Sequence, residues 1–198
     1  KTDLIIPGPD SGVPAAIGYS ESINNNVELG IIRNHYVGRT FIEPTQQIRS
    51  LGVKLKHNVN KSLVKNKSLT LIDDSLVRGT TSVKIVKMLY EAGAKEVHLR
   101  IAAPPIKYPD YYGVDTPNQD ELLAAKLDLE GMRKFINVTT LQFLSIDGLY
   151  KAMGYQKRNS TYPQFTDHCF TGEYPVKPVD ASDKDFMSNK MSFMSSKT

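Results

Sequence analysis

The chain reads as an α/β protein built on a mostly parallel sheet flanked by helices. Short, nearly all-apolar runs alternate along it with stretches of helical periodicity, the pattern of strands buried on both faces by the helices between them. Its unusual loops, rich in Gly, Asp and hydroxyl residues, follow the strands, and ligands of such sheets collect at the strands' carboxyl ends. The bulk agrees: 198 residues, 40% hydrophobic and 23% charged, suit one globular domain with an ordinary core.

Asp3–Pro9 (DLIIPGP) predicts the first strand, closed by the turn Pro9-Asp10-Ser11-Gly12. Small and apolar residues at helical spacing predict a helix over Val13–Ser22, and Val27–Arg33 a second strand of the sheet. Asn34–Thr45 mixes polar and aromatic residues around Gly38 and reads as a loop, with a helix over Gln46–Lys56. Ser68–Asp74 is a buried strand and Thr81–Ala92 an amphipathic helix, with Gly93 in the usual C-terminal capping place. Glu96–Ala103 is a further strand, stopped by Pro104-Pro105. After a Tyr- and Pro-rich loop come helices near Gln119–Lys126 and Glu130–Phe135, a strand near Thr140–Leu144 and a helix near Ile146–Met153. Residues 1–180 form the expected domain; Ala181–Thr198, polar and rich in Ser, Lys and Met, reads as a disordered tail.

Several function classes drop out. No apolar run is long enough for a bilayer and no signal-peptide pattern opens the chain, so no membrane role and a cytoplasmic location are expected. The net charge of +4 is modest and the lysines are scattered, which argues against a nucleic-acid face while favouring an anionic substrate. A single cysteine, Cys169, makes no internal disulfide. A strand begins almost at once after Lys1, so the chain is expected to be a piece of a longer protein.

The chemistry concentrates in Leu69–Ser82, LTLIDDSLVRGTTS. An apolar run delivers two carboxylates, Asp73 and Asp74, to its carboxyl end. A turn containing Ser75, Arg78 and Gly79 follows, and Thr80, Thr81 and Ser82 open the next helix. Backbone N–H groups at that helix start, the hydroxyls and the helix dipole suit a phosphate. The acid pair, one loop away, suits a sugar diol or a hydrated magnesium ion. Together they describe a phosphorylated sugar. A Walker loop and a GxGxxG fingerprint are both missing. The plain alternative for the pair taken alone is a solvated Asp-Asp turn capping a helix.

Two more loops fit the same ligand. Asp10, Ser11 and Gly12 form a tight turn whose N–H groups and hydroxyl suit an anion, although an isolated turn of this kind would be read as a helix N-cap. Arg33–Gln46 (RNHYVGRTFIEPTQ) carries Arg33, Arg39 and Thr40 and reads as a lid closing over a polyanion.

The Asp-Asp and Gly/Thr-rich string resembles the 5-phosphoribosyl-1-pyrophosphate (PRPP) motif of type I phosphoribosyltransferases. The ordered set PDSG, N-x-Y-V-G-R-T-F-I-x-P, IDDS-x-VRGTTS, AAPP-I-x-Y-P-x-x-YG and DHCFTGEYP resembles the glutamine phosphoribosylpyrophosphate amidotransferase family from about Leu4 to Pro175. That resemblance implies a type I phosphoribosyltransferase fold and the reaction of PRPP with ammonia to give 5-phosphoribosylamine and pyrophosphate, the committed step of purine synthesis. It implies Asp73, Asp74 and Arg39 as catalytic residues. Asp10, Ser11, Gly12, Arg33, Thr40, Ser75, Arg78, Gly79, Thr80, Thr81 and Ser82 would bind PRPP. Ser11, Asp73 and Asp74 would bind Mg2+. Ammonia would come from glutamine through an N-terminal glutaminase domain not contained in this chain, purine nucleotides would inhibit at the PRPP site, and the full enzyme would be a homo-oligomer. Some members hold an iron–sulfur cluster on four cysteines; one cysteine does not suffice, and Asp110 stands where those members have a ligand, so no cluster is expected. Cys169, beside His168, reads as a small buried side chain, and His57 and His98 as surface or strand-edge residues; His35 merely falls in the lid. Two alternatives remain: a stand-alone base phosphoribosyltransferase and a non-catalytic PRPP-binding regulator.

Overall fold

The computed structural model describes residues 2–34, 57–116 and 118–176. The predicted helix 46–56, most of the proposed lid, His35 and the tail from 181 lie outside the described residues. The fold contains β1 (Leu4–Pro7), α1 (Val13–Ile23), β2 (Ile31–Arg33), β3 (His57–Val59), α2 (Lys61–Val64), β4 (Ser68–Asp73), α3 (Thr80–Glu91) and β5 (Glu96–Ile101). A 3-10 turn (Gln119–Glu121), α4 (Leu123–Lys126), α5 (Leu129–Ile136), β6 (Thr140–Phe143), α6 (Ile146–Ala152) and α7 (His168–Thr171) follow.

The main sheet has the order β1-β4-β5-β6. β1 runs parallel to β4 with Leu4 opposite Leu69 and Pro7 opposite Ile72, and β4 runs parallel to β5 with Ser68 opposite Glu96 and Asp73 opposite Ile101. The sequence explains the middle position of β4: Leu69, Thr70, Leu71 and Ile72 are all buried, as a strand covered on both faces requires. On one face Ile5 and Ile72 pack on Ala16 of α1. β5 behaves differently. Val97, Leu99 and Ile101 are buried while Glu96, His98 and Arg100 are half-buried, so it alternates like a strand with one wetter face. His98 sits there against the Thr140 hydroxyl at 2.9 Å.

Three expectations need correction. Residues 27–33 do not form a strand of the main sheet. Val27 makes one bridge to Ile5, the Gly30 amide then turns back to the Glu28 carbonyl at 2.8 Å, and only Ile31–Arg33 is a strand. That strand pairs antiparallel with β3 in a separate two-stranded ribbon. His57, expected at the surface or a strand edge, opens β3 of that two-stranded ribbon and is buried rather than on the surface. The helix expected over Gln119–Lys126 is broken at Leu122, whose extended backbone buries its side chain completely while the next amide, of Leu123, bonds the Val77 carbonyl.

The chain divides into two compact units, one of residues 1–74, 80–102 and 133–142, the other of residues 75–79, 103–132 and 143–198. The first holds most of the sheet together with α1 and α3. The second buries Leu122, Leu123, Met132 and Tyr150 and is loop-rich between residues 154 and 176. An ion cluster ties it together. Arg158 Nε donates to Asp167 Oδ2 and its Nη2 to Glu173, and the Tyr150 hydroxyl donates to Asp167 at 2.9 Å.

Candidate active site

In the first unit, the parallel pairing of β1 and β4 sets two turns side by side. Pro7 lies opposite Ile72, so Gly8–Gly12 and Asp73-Asp74 leave neighbouring strands at their carboxyl ends. The Gly8 amide donates to the Ile72 carbonyl at 2.7 Å, which binds one turn to the other strand. The turn closes with Gly12 N–H to the Gly8 carbonyl at 2.9 Å, and its Pro9–Asp10 peptide is cis.

This turn needs its glycines. A Cβ on Gly12 would sit 2.4 Å from the Ile72 carbonyl oxygen, and one on Gly8 would meet Asp73 Oδ1 at 2.7 Å. Only bare backbone lets the turn lie against the acid pair. Sequence reasoning passed over Gly8; the PGP string was its signal. Gly12, rather than Asp10 or Ser11, is the N-cap of α1, and no side chain caps that helix. Asp10 and Ser11 are exposed, and among the described residues their amides have no protein partner. Two donors and a hydroxyl therefore project from the strand end without a structural task.

Arg33, at the end of β2, reaches this turn: its Nη1 donates to Asp10 Oδ2 at 2.8 Å, while its Nε is buried without a partner. The neighbouring acid pair is crowded. The Asp74 amide donates to Asp73 Oδ1 at 3.1 Å. Burial, and then the adjacent Asp74 carboxylate, lift the Asp73 carboxyl from 3.8 to about 7. Among the described residues no cationic side chain pairs with either carboxylate. Two adjacent carboxylates at a strand end could hold a cation or a polyol.

Thr80, Thr81 and Ser82 form the first turn of α3, with Thr80 and Thr81 exposed and Ser82 buried. The first amides of a helix have no intrahelical acceptor, so this end offers donors to an anion. Asp10, Ser11, Gly12, Arg33, Asp73, Asp74, Thr80, Thr81 and Ser82 thus all fall in one compact unit. Ser75, Arg78 and Gly79 fall in the other. There Arg78 Nε pairs with Glu121 at 2.9 Å, and Gly79 adopts φ +76°. Arg39 and Thr40 lie outside the described residues.

The second unit carries a cluster with no counterpart in this site. His168 Nε2 lies 2.6 Å from Asp110 Oδ2, both side chains are buried, and Cys169 Sγ is 3.8 Å from the same oxygen. Burial pushes the Cys169 thiol up to about 12, with the Asp110 charge adding to it. Cys169 is half-buried rather than buried as expected, and its thiol is held in the protonated form.

No protein-family model matches the chain. An amidophosphoribosyltransferase of Rhizobium etli is 56% identical over 98% of the chain, which corresponds to 39% of that enzyme. The solved structure of the glutamine PRPP amidotransferase from Bacillus subtilis complexed with ADP and GMP is 46% identical over 89% of the chain and 39% of its own, with a TM-score of 0.78. A structure described as the allosteric regulatory enzyme of purine biosynthesis is 43% identical over 96% of the chain and 41% of its own, with a TM-score of 0.80. The fold is therefore of the type I phosphoribosyltransferase class. Among the described residues no helix is long and apolar enough to cross a membrane. Along nearly its whole length the chain is a homologue of the amidophosphoribosyltransferases, of which it spans about two fifths.

Proposed function

We propose that this chain carries the PRPP site of an amidophosphoribosyltransferase: PRPP and ammonia give 5-phosphoribosylamine and pyrophosphate, with ammonia drawn from glutamine elsewhere in the whole enzyme. The observation that carries the proposal is the side-by-side exit of the Gly8–Gly12 turn and the Asp73-Asp74 pair from β1 and β4. The Bacillus subtilis relative, described as a PRPP amidotransferase, supports the choice of substrate.

The residues' roles follow from where charge develops. The C1–O bond to pyrophosphate breaks with its electron pair going to the leaving oxygen. The nitrogen lone pair of ammonia forms the new bond, and the resulting ammonium loses a proton to solvent. The free amides of Asp10 and Ser11 and the Ser11 hydroxyl donate to the leaving pyrophosphate. Arg33 adds positive charge at the same turn. Asp73 and Asp74 hold the ribose 2′- and 3′-hydroxyls and favour the cationic character of the ring. The first turn of α3, with Thr80 and Thr81, grips the 5′-phosphate and fixes C1 for attack, Arg78 and Gly79 leading the chain into it. Asp73, Asp74 and Ser11 would hold magnesium, which when bound neutralises pyrophosphate charge. Arg39 and Thr40 are assigned to closing the site against water. Purine nucleotides, which share the ribose 5-phosphate, compete for it.

The test is pyrophosphate release from PRPP with ammonia, with free purine or pyrimidine bases, and with no acceptor. Ammonia-dependent release supports the proposal. Nucleotide formation from a free base would establish a base phosphoribosyltransferase instead, and PRPP binding without any turnover would establish a regulator.

A further inference from the structure

The Asp110–His168–Cys169 cluster of the second unit has no part in the chemistry above. One ligand-type atom from each residue lies within 4.8 Å of the other two. Three different donors converge: a carboxylate oxygen, an imidazole nitrogen and a sulfur. Asp110 and His168 have side chains only 6% and 4% exposed.

The carboxylate is pre-aimed. Asp110 Oδ1 accepts from the amides of Tyr112 at 2.8 Å and Val114 at 2.9 Å, which leaves Oδ2 to face His168 and Cys169. The Cys169 carbonyl in turn accepts from the amides of Lys107 at 2.9 Å and Tyr108 at 3.1 Å, fastening α7 to the loop that carries Asp110. The rings of Tyr112 and Tyr174 lie 4.9 Å from the imidazole. A carboxylate fixed through one oxygen by two amides, with the other oxygen turned to His168 and Cys169, is the kind of held ligand a preorganised metal centre requires.

The donor set does not fit an iron–sulfur cluster, which needs four thiolates where this chain has one cysteine. It does fit one small, borderline-soft ion. We propose that Asp110, His168 and Cys169 bind a single Zn2+ ion, with a water molecule or an open position as the fourth ligand. A thiolate, a carboxylate and a neutral imidazole cancel the two positive charges, so the filled site carries no net charge into a buried place. Magnesium and calcium are disfavoured by the nitrogen and sulfur donors. Tetrahedral bonds of about 2.0–2.3 Å place ligand atoms about 3.3–3.7 Å apart. Asp110 and His168 must therefore separate by somewhat under 1 Å, and Cys169 need hardly move. On binding, the Cys169 thiol proton leaves to solvent and sulfur bonds the metal. The ion would clamp the loop after β5 to α7.

The experiment uses the full chain, incubated with Zn2+ or Co2+, desalted and assayed for retained metal and absorbance. One equivalent of zinc per chain is expected. The cobalt form should show a strong thiolate-to-metal charge-transfer band and the visible bands of tetrahedral Co2+. Cys169→Ser should abolish the charge-transfer band, and Asp110→Asn should lower metal affinity at least about tenfold. Should either variant fail to fold, Cys169 alkylation in the parent chain decides, since bound zinc should slow it. Stoichiometric metal lost on desalting, a cobalt spectrum without the thiolate band, or alkylation indifferent to zinc would each overturn the proposal and leave a hydrogen-bonded clasp. None of these readouts involves PRPP, so the site stands or falls independently of the proposed reaction.

Discussion

Two pairs of carboxylates in this molecule are treated in opposite ways. In the first unit Asp73 lies beside Asp74, among the described residues no cationic side chain pairs with it, and burial lifts its carboxyl to about 7. In the second unit burial also pushes upward on Asp110 and Asp167, yet both end below the usual carboxylate range. The Val114 and Tyr112 amides and His168 outweigh it at Asp110; Arg158, Tyr150 and Thr171 do so at Asp167. Asp167, compensated by Arg158, Tyr150 and Thr171, holds the fold together, while Asp73, left without a described cationic partner, marks a place for a ligand. On that contrast the acid pair at the end of β4 is the place for a ligand and the Arg158–Asp167 cluster is a fastening.

The largest effect that could break the contrast is catalytic. Asp74→Asn should lower ammonia-dependent turnover by about a hundredfold or more, because it removes negative charge where the ribose becomes cationic. The melting temperature should hold or rise, since one of two crowded charges is gone. Normal turnover in this variant would place the pair outside the chemistry. The mirror experiment is Arg158→Met, which strands Asp167 in a buried position. Chemical denaturation should show a loss of about 3–5 kcal/mol, the cost of an unpaired buried charge. A loss below about 1 kcal/mol would mean that the cluster is solvated and the comparison false.

The pH dependence sharpens the same comparison, with opposite signs for the two classes. The folded Asp73 carboxyl lies above its unfolded value of 3.8, so between about 4 and 7 the folded chain binds more protons than the unfolded one. Stability contributed through Asp73 therefore falls as pH rises through that window. Asp73→Asn should be more stable than the parent by about 1–3 kcal/mol at pH 8, with the gain vanishing near pH 4. Asp110 and Asp167, depressed in the fold, contribute stability above the ordinary carboxylate range that is lost as pH falls below it. Parallel melting curves for parent and Asp73→Asn across pH 4–8 would contradict the raised carboxyl.

What the sequence disclosed, and what it hid, divides along a physical line. The β4–loop–α3 segment was legible because its signals are local. Leu69–Ile72 is a continuous apolar run, Asp73-Asp74 follows without a gap, and Gly93, at φ +96°, ends α3 where a left-handed residue is required. The ribbon of β2 and β3 was not, because His57-Asn58-Val59 has no strand signature of its own and exists by pairing with Ile31–Arg33. The four residues of α7 form a helix too short to announce itself, held by the loop carrying Asp110. In the site, residue types were readable from spacing. The reach of Arg33 to Asp10 was not, since it depends on where the ribbon places the end of β2.

That same contact gives the smallest expected effect. The Arg33 and Asp10 side chains are 34% and 52% exposed, so as a surface ion pair they contribute about 0–1 kcal/mol to stability. Arg33→Ala should thus leave the denaturation midpoint nearly unchanged. If the guanidinium serves the anion rather than the fold, KM for PRPP should rise about three- to tenfold with kcat within about twofold, the signature of lost binding that does not grow in the transition state. Arg33→Lys should recover only part of this, because an ammonium supplies the charge without the planar fork. An unchanged KM would reduce Arg33 to a surface partner of Asp10, and the turn at the end of β1 would then have to hold its anion with backbone amides and Ser11 alone.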